Sequence, residues 1–189
     1  RNWSTGGQVN DPANPPAYCF YRDHVHGQPT YKLGLRMPWP VAGPGVRYSA
    51  PGVGYSHLMR GERFTHTWLD KQGYDFDVIS NLDLHRDPEL LDGYKVLIIN
   101  GHDEYWSARM YDGLDRYLQN RGTAAVLSGN TMFWRISVDD ELGTVECRKF
   151  GPNIGGRALA SVGDIYHSAD GKRGSLMRNC GHPTLRNIR

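Results

Sequence analysis

The run Val96-Leu97-Ile98-Ile99 constrains this chain more than any other stretch. Four consecutive apolar residues, three of them β-branched, read as a strand buried on both faces of a parallel sheet. The run stops abruptly at Asn100-Gly101, and His102, Asp103, Glu104 and Tyr105 follow at once. Ser107 is placed to cap the next helix. Ionisable and hydrogen-bonding side chains therefore crowd just past the carboxyl end of a strand, where open α/β sheets bind their ligands.

The following residues support that placement. Met110, Tyr111, Leu114, Tyr117 and Leu118 recur at helical spacing, and Gly122 follows Arg121 as expected just past a helix end. Thr123 to Leu127 then reads as a second buried strand, ending in Ser128-Gly129-Asn130-Thr131. Two strands joined through a helix should be parallel, with a right-handed crossover. Both polar breaks then fall on one edge of the sheet. His102, Glu104 and Asn130 can share a pocket although Asn130 lies well downstream.

A chain of 189 residues is enough for one domain with a real core. Its net charge of +2 is too small to argue for nucleic acid or a membrane surface as partner. No apolar run approaches the roughly 20 residues that span a bilayer, and the start at Arg1 has no apolar signal segment. Cys19, Cys147 and Cys180 are odd in number and far apart, which suits a reducing, cytoplasmic setting better than a disulfide framework. No CxxC pair is present, so a thiolate zinc site is not expected.

In chain order, residues 1–57 read as a loop-rich segment packing on a core. Within it, Tyr18 to Gly27 is dense in groups that bind metals or protons, with Tyr21, His24 and His26 foremost. Residues 32–56 read as loop, because Met37-Pro38-Trp39-Pro40 forbids a regular helix. Tyr31, Trp39, Tyr48 and Tyr55 are available for an aromatic wall. Residues 58–150 read as an α/β core. In it a helix starts at Leu58 and ends at Gly73, with Leu58, Gly61, Thr65, Trp68 and Leu69 on one face. A strand is expected over Tyr74 to Ile79, then a connector through Asp83 and Pro88 into the central strand. Phe133 to Val138 should pair as a hairpin with Thr144 to Lys149. Residues 151–189, rich in Gly and Arg, give no fold assignment. The sum is an open, mostly parallel sheet with flanking helices.

The polar turn offers a carboxylate and an imidazole, without the thiol or hydroxyl nucleophile that class I amidotransferases and α/β hydrolases carry after their strand. His102 and Glu104 could equally cap the helix that follows.

Gly101-His102-Asp103-Glu104-Tyr105-Trp106-Ser107 and Ser128-Gly129-Asn130-Thr131-Met132-Phe133-Trp134-Arg135, with Gly73-Tyr74-Asp75, Asp83-Leu84-His85 and Tyr94-Lys95, resemble the large subunit of N,N-dimethylformamidase. The resemblance covers most of the chain. It implies a class I glutamine-amidotransferase-like (flavodoxin-like) fold that lacks the amidotransferase cysteine. It further implies a mononuclear iron, ferric in character, held by two tyrosines and a glutamate. On this sequence the glutamate is Glu104, and one tyrosine is Tyr21, with Tyr31 as the fallback. His102 is implied beside the metal as a base or orienting group, and Asn130 as a residue that positions substrate or water. The second tyrosine would lie before Arg1 and a further glutamate beyond Arg189. Phenolate and carboxylate are hard oxygen donors that suit Fe³⁺, and such a metal polarises a carbonyl and acidifies water. The implied reaction is hydrolysis of the C–N bond of N,N-dimethylformamide or a similar small formamide. The implied assembly is an oligomer of large and small subunits. The competing expectation is an amidotransferase-like domain with a non-catalytic binding or assembly role.

Overall fold

The computed structural model describes residues 20, 30–36, 57–149 and 164–182, with the backbone alone for 57–61. Tyr21, His24, His26, Trp39, Tyr48 and Tyr55 lie outside the described residues. The chain divides into two compact units, residues 1–56 with 134–176 and residues 57–133 with 177–189.

The second unit begins with α1, His57–Lys71. Gly73, at φ +72°, ends it. The Tyr74 N–H returns to Leu69 O at 3.1 Å, closing the orphan carbonyl that a helix end leaves. The expected helix is present, but Trp68 faces outward and packs its ring on Tyr74, centroids 5.7 Å apart. Tyr74 to Ile79, expected as a strand, is irregular. Val78 is 67% exposed, so nothing covers the side that a central strand would bury.

The connector expected after it is instead α2, Asn81–Arg86. Ser80 and Asp83 explain it. The Asp83 N–H donates to Ser80 Oγ at 3.2 Å and the Ser80 N–H donates to Asp83 Oδ2 at 2.8 Å, a reciprocal capping box. A 3₁₀ turn, Pro88–Gly93, leads on to β2, Val96–Gly101. After the three-residue strand β3, Tyr105–Ser107, comes α3, Ala108–Gln119. Ser107 caps α3 by accepting the Met110 N–H at 3.2 Å. Its apolar stripe of Met110, Tyr111, Leu114 and Tyr117 joins Leu84, Leu91, Ile99, Trp106, Met132 and Met177 in one buried cluster. Gly113 is where α3 meets the 3₁₀ turn, since a Cβ there would lie 2.4 Å from Pro88 Cβ.

At the end of α3 the left-handed residue is Arg121, at φ +68°, rather than Gly122. Gly122 is needed for a different reason. A side chain there would strike the Tyr117 ring, with Cζ 2.3 Å away. β4, Thr123–Ser128, then runs parallel to β2 with Val96 opposite Thr123 and Gly101 opposite Ser128. The parallel pairing is as expected. The burial is not, because Val96 is 52% and Leu127 58% exposed.

In the first unit β5, Trp134–Asp139, and β6, Thr144–Cys147, form the expected antiparallel hairpin, Ile136 opposite Cys147. β1, Lys32–Gly34, expected as loop, adds antiparallel to β6 with Leu33 opposite Val145. An open, mostly parallel, amidotransferase-like or flavodoxin-like sheet is therefore not the fold. Among the described residues β2 and β4 form a two-stranded parallel sheet, β1, β6 and β5 pair antiparallel, and helices are few. The sequence from Phe133 onward turns back on itself through a tight turn, which only antiparallel pairing allows. Among the described residues no helix is long and apolar enough to cross a membrane.

The β5–β6 unit buries charged groups alongside apolar ones such as Trp134 and Ile136. Glu146, 1% exposed, accepts Arg148 Nε–H at 2.6 Å with Oε1 and the Ser168 N–H and Oγ–H, each at 2.9 Å, with Oε2. Burial opposes its ionisation, but those donors outweigh it and hold its carboxyl below the usual range. Buried Arg135 pairs with Asp170 and donates to His167 Nδ1 at 3.2 Å. An arginine can only donate, so Nδ1 accepts, from Arg135 and from Ser137 Oγ–H at 2.7 Å. His167 is thus neutral with its proton on Nε2. Burial first, and the Arg135 charge second, push its pKa down to about 4.

This histidine makes stability fall with acid. Unfolded, it takes up a proton near pH 6.5; folded, it resists until about pH 4. Above 6.5 it costs nothing, and between 6.5 and 4 the unfolded chain gains protons that the folded one refuses. The full effect is about 3 kcal/mol. His167→Gln, in denaturant titrations from pH 7 to pH 4, should show a shallower loss of stability than the parent protein.

Candidate functional site

The turn after β2 exists because Gly101 adopts φ +78°, which side chains rarely allow. Asn100 Oδ1 accepts the Gly101 N–H at 2.8 Å and the Thr65 hydroxyl of α1 at 3.1 Å, which pins the strand end to the helix. Beyond it the Glu104 N–H returns to His102 O at 3.1 Å, a tight turn centred on Asp103 that brings His102 and Glu104 together.

Glu104 is 2% exposed. A carboxylate that deep needs a partner, and His102 Nε2 stands 3.4 Å from its Oε2. The turn after β4 is tied to the same segment. The Asp103 N–H donates to Ser128 Oγ at 2.7 Å, the Met132 N–H to Asp103 O at 3.0 Å, and the Phe133 N–H to Glu104 O at 3.1 Å. The Gly129 N–H reaches Gly101 O at 3.2 Å. The two polar strand ends do lie side by side, as the strand–helix–strand pattern requires.

His102 and Glu104 are thus in contact, and Asn130 is carried to the same strand edge on the neighbouring turn, exposed and at φ +49°. Tyr21 lies outside the described residues. Tyr31, the fallback, belongs to the first unit, where Arg148 sits over its ring at 4.3 Å.

Several residues of the site carry no signal in the sequence pattern. Asp103, between His102 and Glu104 on the turn, receives Asn81 Nδ2–H from the first residue of α2. Burial raises its pKa to about 6; the Asn81 amide opposes that rise and the negative charge of Glu62 adds to it. Glu62 of α1 is itself raised by burial, with His66 offsetting part of the effect. Its side chain lies against Gly101, where an added Cβ would be 3.1 Å from Oε1. The Ser80-x-x-Asp83 capping signature was a usable clue. It caps α2 at Ser80, so Asn81 is the first residue of the helix and its amide reaches the turn.

The donor chemistry fits one ligand of an oxygen-rich metal set: a buried carboxylate beside an imidazole. Among the described residues, no group of three or more His, Cys, Asp and Glu side chains could hold a metal ion. Further donors would have to be phenolates or come from elsewhere.

A family model described as N,N-dimethylformamidase beta subunit-like, C-terminal, matches residues 16–181. Two curated relatives named N,N-dimethylformamidase beta subunit, from Alcaligenes sp and Paracoccus aminophilus, are 29% and 30% identical over 167 residues. The match takes in 87% of this chain and 21% of each relative, so the chain spans about a fifth of their length.

The Asn81 bond gives a direct test of the turn's geometry. Asn81→Ala removes the donor that favours the charged carboxylate, so the pKa of Asp103 should rise above its present value of about 6. Carboxyl-carbon NMR titration reads the shift. An unchanged Asp103 would mean that α2 does not hold the turn.

Proposed function

Since the chain belongs to the N,N-dimethylformamidase beta subunit-like family, we propose that it carries part of the catalytic centre of an amidohydrolase. The substrate is N,N-dimethylformamide or a similar small formamide, and the products are formate and dimethylamine. The observation that supports this most is the pairing of His102 with buried Glu104 on a strand end laced to the Ser128–Phe133 turn.

Glu104 and Tyr21 are the residues of this chain that would hold an iron ion. When bound, such an ion withdraws electrons from an amide carbonyl and makes water more acidic. The rest of the reaction falls to this chain's own groups. Water adds to the carbonyl carbon, the C–N bond breaks, and the amine leaves with a proton. His102 accepts the proton lost by water and returns it to the departing nitrogen. Glu104 orients the imidazole through Nε2, which leaves Nδ1 for proton transfer. Asn130, on the facing turn, positions substrate or water with its amide. A tertiary amide has no N–H to offer, so recognition rests on its oxygen and on shape.

The relatives are beta subunits, and a small subunit is proposed as this chain's partner in a mixed oligomer. Cys147 and Cys180 carry reduced thiols, which suits the reducing cytoplasm proposed for it.

Two substitutions in the full-length protein separate the roles. Glu104→Ala should abolish bound iron, read by metal analysis, together with activity. His102→Ala should keep the iron and lower kcat about 100- to 10,000-fold, the usual worth of a positioned acid–base group. Full iron content and dimethylformamide hydrolysis in Glu104→Ala would overturn the reading, whereas intact ligand binding and assembly with no hydrolysis at any metal load would favour a non-catalytic binding or assembly role.

A further inference from the structure

The turn that faces His102 distributes its residues in an unexpected way. Its left-handed positions are filled by Asn130 at φ +49° and Met132 at φ +53°, neither of them glycine. Its glycine, Gly129, has a φ outside the left-handed region. Backbone conformation therefore does not require a glycine at 129, where any residue could adopt the observed φ.

What does require it is the His102 ring. A Cβ at position 129 would lie 2.9 Å from His102 Nδ1 and 3.2 Å from Cε1. Real Cβ atoms do not come that close, so the ring would have to move. An imidazole is a rigid plate on two torsions, and its opposite nitrogen faces Glu104 Oε2 at 3.4 Å. The ring sits between a carboxylate on one side and bare backbone on the other. The backbone side cannot retreat easily, because the Gly129 N–H is bonded to Gly101 O and Ser128 Oγ accepts the Asp103 N–H.

We infer that Gly129 is a positioning residue for His102: its missing side chain sets where Nδ1 stands and keeps that nitrogen accessible to the reacting molecule. The inference rests on the proposed role of His102 and deepens it. Gly129 touches neither the bond that breaks nor Glu104, so it acts through the imidazole alone. An ångström of displacement in a reacting group can cost up to about 100-fold in rate.

The test is a double-mutant cycle in the full-length enzyme with its partner subunit. Gly129→Ala should lower kcat about 10- to 100-fold, with KM for dimethylformamide and bound iron unchanged. The double variant Gly129→Ala/His102→Ala should be no slower than His102→Ala alone, since a residue acting only through the imidazole has nothing left to act on. Wild-type kcat in Gly129→Ala would overturn the inference, as would loss of iron or multiplying rate effects in the cycle. If Gly129→Ala fails to fold, the double variant, which removes the ring that the new methyl strikes, should fold again; failure of that rescue would also overturn it. His102→Ala with undiminished kcat would instead overturn the proposed role of His102 itself, an outcome the same cycle identifies separately.

Discussion

The backbone lacing between two strand ends holds the candidate site together. β2 and β4 are parallel and in register from Val96–Thr123 to Gly101–Ser128. Because register is shared, the two chains leave the sheet at the same level and their turns remain within hydrogen-bonding reach. Asp103 donates to Ser128 and accepts from Met132, while Glu104 accepts from Phe133. A one-residue slip would reverse every side chain on the strand that moved. Six paired positions and the Gly101 turn prevent that slip, and the tight turn beyond them brings His102 and Glu104 together. A carboxylate buried that deeply needs compensating groups, and the imidazole 3.4 Å away is one of them.

The two units use different chemistry for order. Residues 57–133 pack an apolar cluster around Trp106 and Leu114. The β5–β6 unit adds buried Arg135, Glu146, Lys149 and His167 to apolar residues such as Trp134, Ile136 and Leu176. A buried ion pair contributes little net stability compared with apolar packing, but removing one partner is severe. The arrangement around Glu146, which takes three donors from Ser168 and Arg148, specifies where one turn docks on the hairpin more than it adds to cohesion.

Much of the site was legible because strand ends and caps are local events. The apolar run to Ile99, the break at Asn100-Gly101 and the cap at Ser107 lie within twelve residues, and each has a mechanism that needs no distant partner. The fold class was less legible. The alternation in Tyr74 to Ile79 satisfies a strand template, yet whether such a segment pairs depends on a neighbour that sequence does not name. The same holds for β1, where three residues after Tyr31 become a strand only because Thr144, Val145 and Glu146 offer a ladder. The Ser80-x-x-Asp83 spacing carries a capping box that makes a helix where strand and connector are expected.

The sequence by itself determined the elements whose causes lie within a few residues: α1 and its stop at Gly73, α3 and its cap, the parallel pair β2–β4, and the placing of His102 and Glu104 at a strand end. Tertiary structure alone decided that β1 joins the β5–β6 hairpin at β6, that Asn81 reaches Asp103, and that Gly129 lies against the His102 ring. Propensity, periodicity and capping act along the chain over short distances. Strand partners, desolvated carboxyls and close approaches depend on which residues folding brings together across tens of positions, and no local pattern encodes that.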